Sequence, residues 1–497
     1  MNFRRILKGA VVKNTQNFVY RVIAGAVLAA LPFSVLAEEP EAATRIQQLE
    51  KMMLQMQQQR EEQDKQMQVM ADELKAMQQQ MANSKEDRVK EKGKATGSPV
   101  YAAFKDGLVF EDGGGDWKLQ LNGRVQTDYR NYDPSEWKSD TFSIRRARFG
   151  GTFTFLKDFA VRVEGEYANT TGTTTTALTY GYLDYTRWAG AKIRAGQFKP
   201  FFGLERAYST NFIDFTELSL ATNNGTIFNS TYDRGVMLFG DPLPWLNYNL
   251  YAINGTGQNQ NDVDNQKDTG GRVNANLARL ADFKNMVLHI GASASTGDLG
   301  FTAATGSISQ ATESQGVSFF SVSGLDTDSK RKRWGIETAL TYGPVKFQSE
   351  YISANFDGDW TKGNKKDSYD NDINNWYADL NWLVTGESYA DSYKSGVFGR
   401  IKPKQNFSGQ GGWGALELGL RYSKFDASDF SNMLANTSTS KYTSEADAWT
   451  AGAKWILNPN ARLVLNYIHT SFDTPVTSNG KTDDQEDAIV LRAQYDF

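Results

Sequence analysis

From Lys118 to Arg130 every second residue is polar: Lys118, Gln120, Asn122, Arg124, Gln126, Asp128 and Arg130. Trp117, Leu119, Leu121, Val125 and Tyr129 fall on the alternate positions. Successive side chains of a strand point to opposite faces, so this segment has one apolar face and one that meets water along its whole length. The pattern returns downstream. Val161, Val163 and Tyr167 oppose Arg162, Glu164 and Glu166. Leu416, Leu418, Leu420 and Tyr422 oppose Glu417, Arg421 and Ser423, and Leu463, Leu465 and Tyr467 oppose Arg462 and Asn466. Short turns (Tyr342-Gly343-Pro344, Asn458-Pro459-Asn460) alternate with long polar loops. A soluble β-sandwich also alternates, but it rarely carries Arg and Glu in mid-strand for so long, or aromatic residues at the strand ends as an interfacial girdle requires. The expected fold is an all-β transmembrane barrel. Roughly 400 residues at this spacing supply about 16 antiparallel strands, wide enough to leave an aqueous passage unless loops fold inward.

Composition supports this reading and removes others. Mean hydropathy is −0.53, as expected when only alternate residues face lipid. No run of 18 apolar residues follows the first 40 positions, so no transmembrane helix is expected there. There is no cysteine, and the two histidines, His289 and His469, lie far apart. That excludes thiolate chemistry and disulfides and leaves little for a metal centre. Neither histidine has a Ser/Asp arrangement resembling a catalytic triad, so the chain does not read as an enzyme. No cofactor and no nucleic-acid partner is expected. Two acidic loop groups, Asp262, Asp264 and Asp268, and Asp483, Asp484, Glu486 and Asp487, read as solvated charge rather than a calcium loop.

The first hundred residues have a different organisation. Arg4, Arg5, Lys8, Lys13 and Arg21 precede an apolar stretch, Val22 to Leu36, and a small-x-small site at Val35-Leu36-Ala37. Residues 1–37 are therefore expected to be an export signal. Losing its five basic residues and no acid would take the net charge from −4 to −9. Residues 38–92 carry a heptad pattern, with Ile46, Met53, Arg60, Met67, Leu74 and Met81 in one register and Leu49, Met56, Gln63, Met70 and Met77 in the other. This predicts a periplasmic coiled coil, with polar Arg60 and Gln63 interrupting the seam. A Gln-rich disordered spacer is the alternative. Residues 93–100 read as a linker and 101–497 as the barrel.

The segment from Phe201 to about Tyr232 is too long and too apolar for a free surface loop. Phe201, Phe202, Phe212, Phe215, Leu218 and Phe228 need burial, which folding into the barrel as a constriction loop would supply. Burial in a subunit contact is the alternative. Basic residues gather nearby: Arg124, Arg145, Arg146, Arg148, Lys199 and Arg206. Phe149, Phe153 and Phe155 look lipid-facing, which puts Arg146 and Arg148 in the lumen and leaves Arg145 with the wrong parity unless a bulge re-aims it. Guanidinium groups grip phosphate or carboxylate through paired donors, so a lumenal cluster favours anions whatever the net charge. A structural alternative pairs these arginines with Glu164, Glu166 or Glu350 across the barrel.

These segments together resemble the phosphate-selective porin family (the OprO/OprP type): LNGRVQTDY from Leu121, IRRARFGGT from Ile144, GQFKPFFGLERA from Gly196, LVTGES from Leu383, Ile401-Lys402-Pro403, ALELGLRYSKFD from Ala415 and the final LRAQYDF. The resemblance implies a homotrimeric 16-stranded outer-membrane barrel with an inward loop and an arginine-lined anion site. The family's constriction arginines fall on Arg124, Arg145 and Arg146, and its loop lysine on Arg206. There are departures. A tyrosine of the family falls on Arg148, another on Lys199, and a second loop lysine on Asn211. The family's extracellular arginine ladder has no counterpart in Gly297 to Ser329, where basic residues begin only at Lys330-Arg331-Lys332-Arg333. The heptad prefix looks more like that of DcaP-type porins, which take up dicarboxylates. A terminal aromatic, Phe497, looks like the signal read by the barrel-insertion machinery.

The resulting expectation is a channel in the outer membrane of a Gram-negative bacterium, in contact with lipid and lipopolysaccharide, passing small anions such as phosphate by passive diffusion. A weakly selective or dicarboxylate-preferring channel is the first alternative. A barrel that anchors the coiled coil to peptidoglycan is the second.

Overall fold

The computed structural model describes residues 99–168, 176–223, 225–228, 230–301, 305–363 and 365–497. The export signal, the heptad segment and most of the linker lie outside the described residues. Two short strands, β1 (Val100–Phe104) and β2 (Leu108–Asp112), form a hairpin that pairs with the start of β3 (Trp117–Asp133). The wall continues through β4 (Thr141–Phe155), β5 (Phe159–Glu166), β6 (Ala177–Trp188), β7 (Ala191–Phe198), β8 (Asp233–Leu243), β9 (Leu246–Ile253) and β10 (Asp268–Asn276). Next comes β11 (Met286–Asp298). A hairpin of β12 (Thr305–Ala311) and β13 (Ser318–Asp326) interrupts the wall before β14 (Lys330–Tyr342), β15 (Val345–Lys362) and β16 (Lys365–Leu383). A two-stranded ribbon, β17 (Tyr393–Lys394) and β18 (Val397–Phe398), precedes β19 (Ala415–Asp426), β20 (Glu445–Asn458), β21 (Ala461–Ser478) and β22 (Lys481–Asp496).

Each wall strand is antiparallel to its neighbours, and β22 closes on β3 from Asp487↔Asp133 to Asp496↔Arg124. The wall is a closed barrel of 16 strands. Its burial is the reverse of a soluble protein's. Val125, Phe149, Val163, Ile193, Leu250, Ile336, Leu420 and Leu491 are all about half exposed, whereas Arg124, Glu164, Arg272, Glu337, Asp379, Arg421 and Arg492 are buried. Apolar side chains outside and charged ones inside fit a wall between lipid and a polar interior. At the seam, Phe497 exchanges two backbone hydrogen bonds with Gly123, donating at 3.0 Å and accepting at 2.9 Å.

Among the described residues, three segments fold into this interior. The first is residues 199–232, which carry the one-turn helix α1 (Leu204–Ala207). Glu350 on the wall accepts from the backbone N–H groups of Leu204 (2.7 Å) and Glu205 (2.6 Å), so a buried carboxylate caps that turn. Arg421, fully buried, donates to Glu205 (2.5 Å), to Asp379 (2.8 Å) and to the backbone carbonyl of Glu217 (3.1 Å). The second segment is the β12–β13 hairpin. Glu486 accepts from Thr312 and Ser314 (2.6 Å each) and from Val317 N–H (2.7 Å). Beyond this turn, Phe319, Phe320 and Val322 pack in one apolar cluster with Ile352, Phe356, Phe425 and Phe430. The third is the 384–414 connection, on the side of the short turns. Its Tyr389 and Phe398 pack against Leu204, Tyr208 and Ile213 of the first segment, and Arg272 donates to the Gly396 carbonyl at 2.8 Å.

Gly203, which enters α1, has φ 71°, and a Cβ there would lie 2.3 Å from Glu350 Oε2. Gly203→Ala combines a left-handed backbone with a collision against the capping carboxylate and is expected to cost about 1–3 kcal/mol. The barrel should still form. Cleavage within residues 199–232 of the folded protein by an added protease should become several-fold faster.

Candidate functional site

The sequence-predicted residues fall into two groups. Arg124, Arg145, Arg146 and Arg148 all come from β3 and β4, and the register there explains how they share one face. Gln126 pairs with Arg146 and Thr127 with Ile144, so the ladder skips Arg145. That bulge turns Arg145 into the lumen despite its parity. Its side chain is 25 % exposed, against 7 % for Arg124 and 9 % for Arg146, so Arg145 is the more open of the three.

Two carboxylates organise this group. Glu217, on the inward segment, receives Arg145 through both oxygens (2.7 and 3.1 Å) and also accepts from Arg130 (2.6 Å) and Arg492 (3.0 Å). Arg146 lies 3.7 Å from it and donates to Gln126 at 2.8 Å. Arg130 and Arg492 are paired in turn with Asp128. Glu164 is the second hub, with Arg162 at 2.8 Å, Arg148 at 3.7 Å and Arg124 at 4.0 Å. Arg148 also donates to Glu166 (2.6 Å) and to the Tyr232 hydroxyl, and Arg124 donates to the Thr210 hydroxyl. Burial alone would push the Glu217 carboxyl up, yet Arg145, Arg130, Arg146 and Arg492 together hold it well below the usual carboxylate range.

Lys199 sits just beyond the end of β7 and donates to the Tyr208 carbonyl at 2.6 Å. Among the described residues no carboxylate is paired with it. Burial lowers its ammonium well below the ordinary lysine range, and the fields of Arg206, Arg148, Arg124 and Arg146 act in the same direction. Arg206 lies apart from the β3–β4 group. Its guanidinium donates to the carbonyls of Thr222 (3.1 Å) and Ser230 (3.0 Å) and covers the Phe228 ring at 3.8 Å. It lines a small cleft with Arg331, Arg333, Asp233 and Asp268. Arg331 and Arg333 converge there on Asp268, at 3.0 and 3.4 Å.

Sequence reading did not single out Arg130, Arg162, Arg492 or Glu217. The three arginines sit on the polar faces of strands whose alternation was plain, so parity alone places them in the lumen. Glu217 gave no such signal, because its position depends on how the inward segment folds. The structural alternative is met in part: Glu164 and Glu166 do pair with arginines, whereas Glu350 is occupied by the cap of α1. His289 contacts Glu337 (2.8 Å) and the Tyr393 hydroxyl (2.6 Å), and His469 contacts Asp487 (2.9 Å). No group of three or more metal-ligating side chains occurs among the described residues.

Cations therefore outnumber carboxylates along one side of the interior. Arg124, Arg130, Arg145, Arg146, Arg148, Arg162, Arg492 and Lys199 face Asp128, Glu164, Glu166 and Glu217.

Comparison with known proteins agrees with this architecture. Porin O of Pseudomonas aeruginosa is 26 % identical over 432 residues, covering 81 % of this chain and 93 % of that protein. Two solved structures match at lower similarity. The outer membrane channel DcaP of Acinetobacter baumannii shows 13 % identity, a TM-score of 0.48 and coverage of 78 % of this chain and 99 % of the other. The anion-selective porin from Comamonas acidovorans shows 12 % identity, a TM-score of 0.48 and coverage of 77 % and 100 %. The family model described as phosphate-selective porin O and P matches residues 119–497, which includes every wall strand but the first two residues of β3. With the closed wall and its charged interior, that match assigns the chain: it is a non-enzymatic outer-membrane porin belonging to the phosphate-selective porin O and P family.

Proposed function

We propose that the chain is a passive, anion-preferring channel for small oxyanions, with the β3–β4 arginines and Lys199 as its constriction and a homotrimer as its working form. The observation that carries this reading is the cationic surplus around Arg145, the most exposed of the four β3–β4 guanidinium groups. A planar, permanently charged donor fork suits phosphate and carboxylate better than it suits chloride. A net charge of −4 over the whole chain does not oppose it, because the field where the passage narrows decides selectivity. Chloride current through the protein in a planar bilayer should be blocked by added phosphate, and Arg145→Ala should weaken that block by about tenfold, the loss of one charge-assisted pair. Equal block in the two proteins would remove Arg145 from the site.

One observation favours dicarboxylates over phosphate as the preferred solute. Arg331 and Arg333, near the long-loop end of β14, are both engaged with Asp268 rather than left open toward the constriction. Succinate should then block chloride current at a concentration no higher than phosphate does. The heptad segment, residues 38–92, is proposed as a periplasmic coiled coil that joins three copies and reaches toward peptidoglycan. Removing residues 38–98 is expected to leave unit conductance unchanged. Loss of conductance in a folded barrel would mean that the segment is part of the passage.

A further inference from the structure

The donors that an oxyanion would use are already in contact with a carboxylate of the chain itself. Glu217 presents two oxygens to Arg145 in a two-point contact, 2.7 Å to Nε and 3.1 Å to Nη2, the arrangement a free carboxylate or phosphate would adopt. The same carboxylate engages Arg130 and Arg492 and has Arg146 at 3.7 Å. It is carried on the inward segment rather than on the wall, and the Arg421 donor to its own carbonyl fixes the backbone behind it. Asp128, on the wall strand β3, already serves Arg130 and Arg492. Glu217 is thus not needed to pair those two, and among the described residues it is the carboxylate bonded to Arg145.

We propose that Glu217 is a tethered occupant of the anion site, and that a permeating oxyanion takes the Arg145 fork by exchange with this carboxylate. The inference rests on the anion-channel reading above and deepens it. A tethered ligand competes at an effective concentration in the millimolar range or above. A solute must then displace Glu217 to bind, so its affinity is kept low and its departure fast, which is what conduction through a binding site requires. Chloride is a single atom that cannot make the two-point contact and gains little from the fork, so the exchange acts on two-oxygen anions. The solutes concerned are small phosphates and carboxylates. A dianion has the advantage over a monoanion, because it brings more charge than the group it displaces.

The test is the block of chloride current by sodium phosphate and by sodium succinate in planar bilayers, after each variant is shown to be folded by heat-modifiable migration on a gel. Glu217→Gln keeps the shape and removes the competitor. Both anions should then block at concentrations at least about tenfold lower than in the parent protein. Asp128→Asn changes the lumen charge by the same one unit without touching Arg145, and should lower the blocking concentration far less. A block unchanged by Glu217→Gln overturns the proposal, and so does an equal gain from Asp128→Asn, which would mean that only net charge matters. If Glu217→Gln alone does not fold, the charge-balanced pair Arg130→Gln with Glu217→Gln still frees the fork and must show the same gain. The reading on which this rests fails separately: a parent channel that prefers potassium over chloride would end both, whereas a chloride-preferring parent with no response to Glu217→Gln ends only this one.

Discussion

Arg421→Met is expected to release the inward segment from the wall while leaving the barrel closed. Arg421 is fully buried and joins the segment's Glu205 and the Glu217 carbonyl to Asp379 on β16, with Glu313 3.8 Å away. Removing one member of a buried ion cluster costs about 3–5 kcal/mol, because the partners are left as uncompensated buried charge. Here three carboxylates, Glu205, Asp379 and Glu313, would lose their common cation. The wall itself rests on ladder hydrogen bonds that this change does not touch. The loss should therefore appear in the segment, as a larger and noisier unit conductance and faster cleavage within residues 199–232. An Arg421→Met protein with the parent's conductance and protease resistance would show that Glu350, the Glu217 bonds to Arg130, Arg145 and Arg492, and the apolar contacts suffice to hold the segment.

The second large effect is expected from Arg145→Glu. This change alters the charge at the proposed constriction by two units and sets a carboxylate beside Glu217, where the parent has a two-point ion pair. Two unit charges about 4 Å apart interact by on the order of 4 kcal/mol at an effective dielectric near 20. Screening and distance reduce this for a passing ion, yet a third of it is still about tenfold in a permeability ratio. The ratio of chloride to potassium permeability should fall by about an order of magnitude, read as a shift of zero-current potential in a salt gradient. The bulge that aims Arg145 is a backbone feature, so the substituted side chain should still face the lumen. An unchanged ratio in a folded barrel would place the selective field elsewhere.

Much of the wall was legible in the sequence because its signal is local. A period of two with Arg and Glu in mid-strand fits few environments other than a wall between lipid and water, and the spacing of such segments gives a strand number close to the 16 observed. The inward segment was legible for a similar reason: of the six residues that demanded burial, Phe202, Phe215 and Phe228 are buried and Phe201, Phe212 and Leu218 are half-buried. The other two insertions carry weaker signals. The β12–β13 hairpin lies in a stretch rich in Ser, Thr and Gly, and its few apolar residues find partners on β15, β16 and β19 that no local pattern names. In the 384–414 connection, Tyr389 and Phe398 do the packing, too few to mark a buried element.

The arginines follow the same division. Alternation put Arg124, Arg146 and Arg148 on the lumenal face, whereas Arg145 had the wrong parity unless a bulge re-aimed it, and the register carries that bulge. The pairings with Glu164 and Glu166 were open to sequence reading, but the one with Glu217 was not, since it is 72 residues from Arg145 and meets it only once the segment has folded back. Arg206 shows the limit of position alone. It stands where the resemblance puts a site residue, but its donors go to carbonyls of its own segment and its face to Phe228.

The sign of ionic preference in the unmodified protein tests the central claim most directly. In a planar bilayer between two potassium chloride concentrations, the zero-current potential should take the sign of the chloride equilibrium potential and lose magnitude as ionic strength screens the arginines. A potential with the sign of the potassium equilibrium potential, at low salt where the field is strongest, would contradict it.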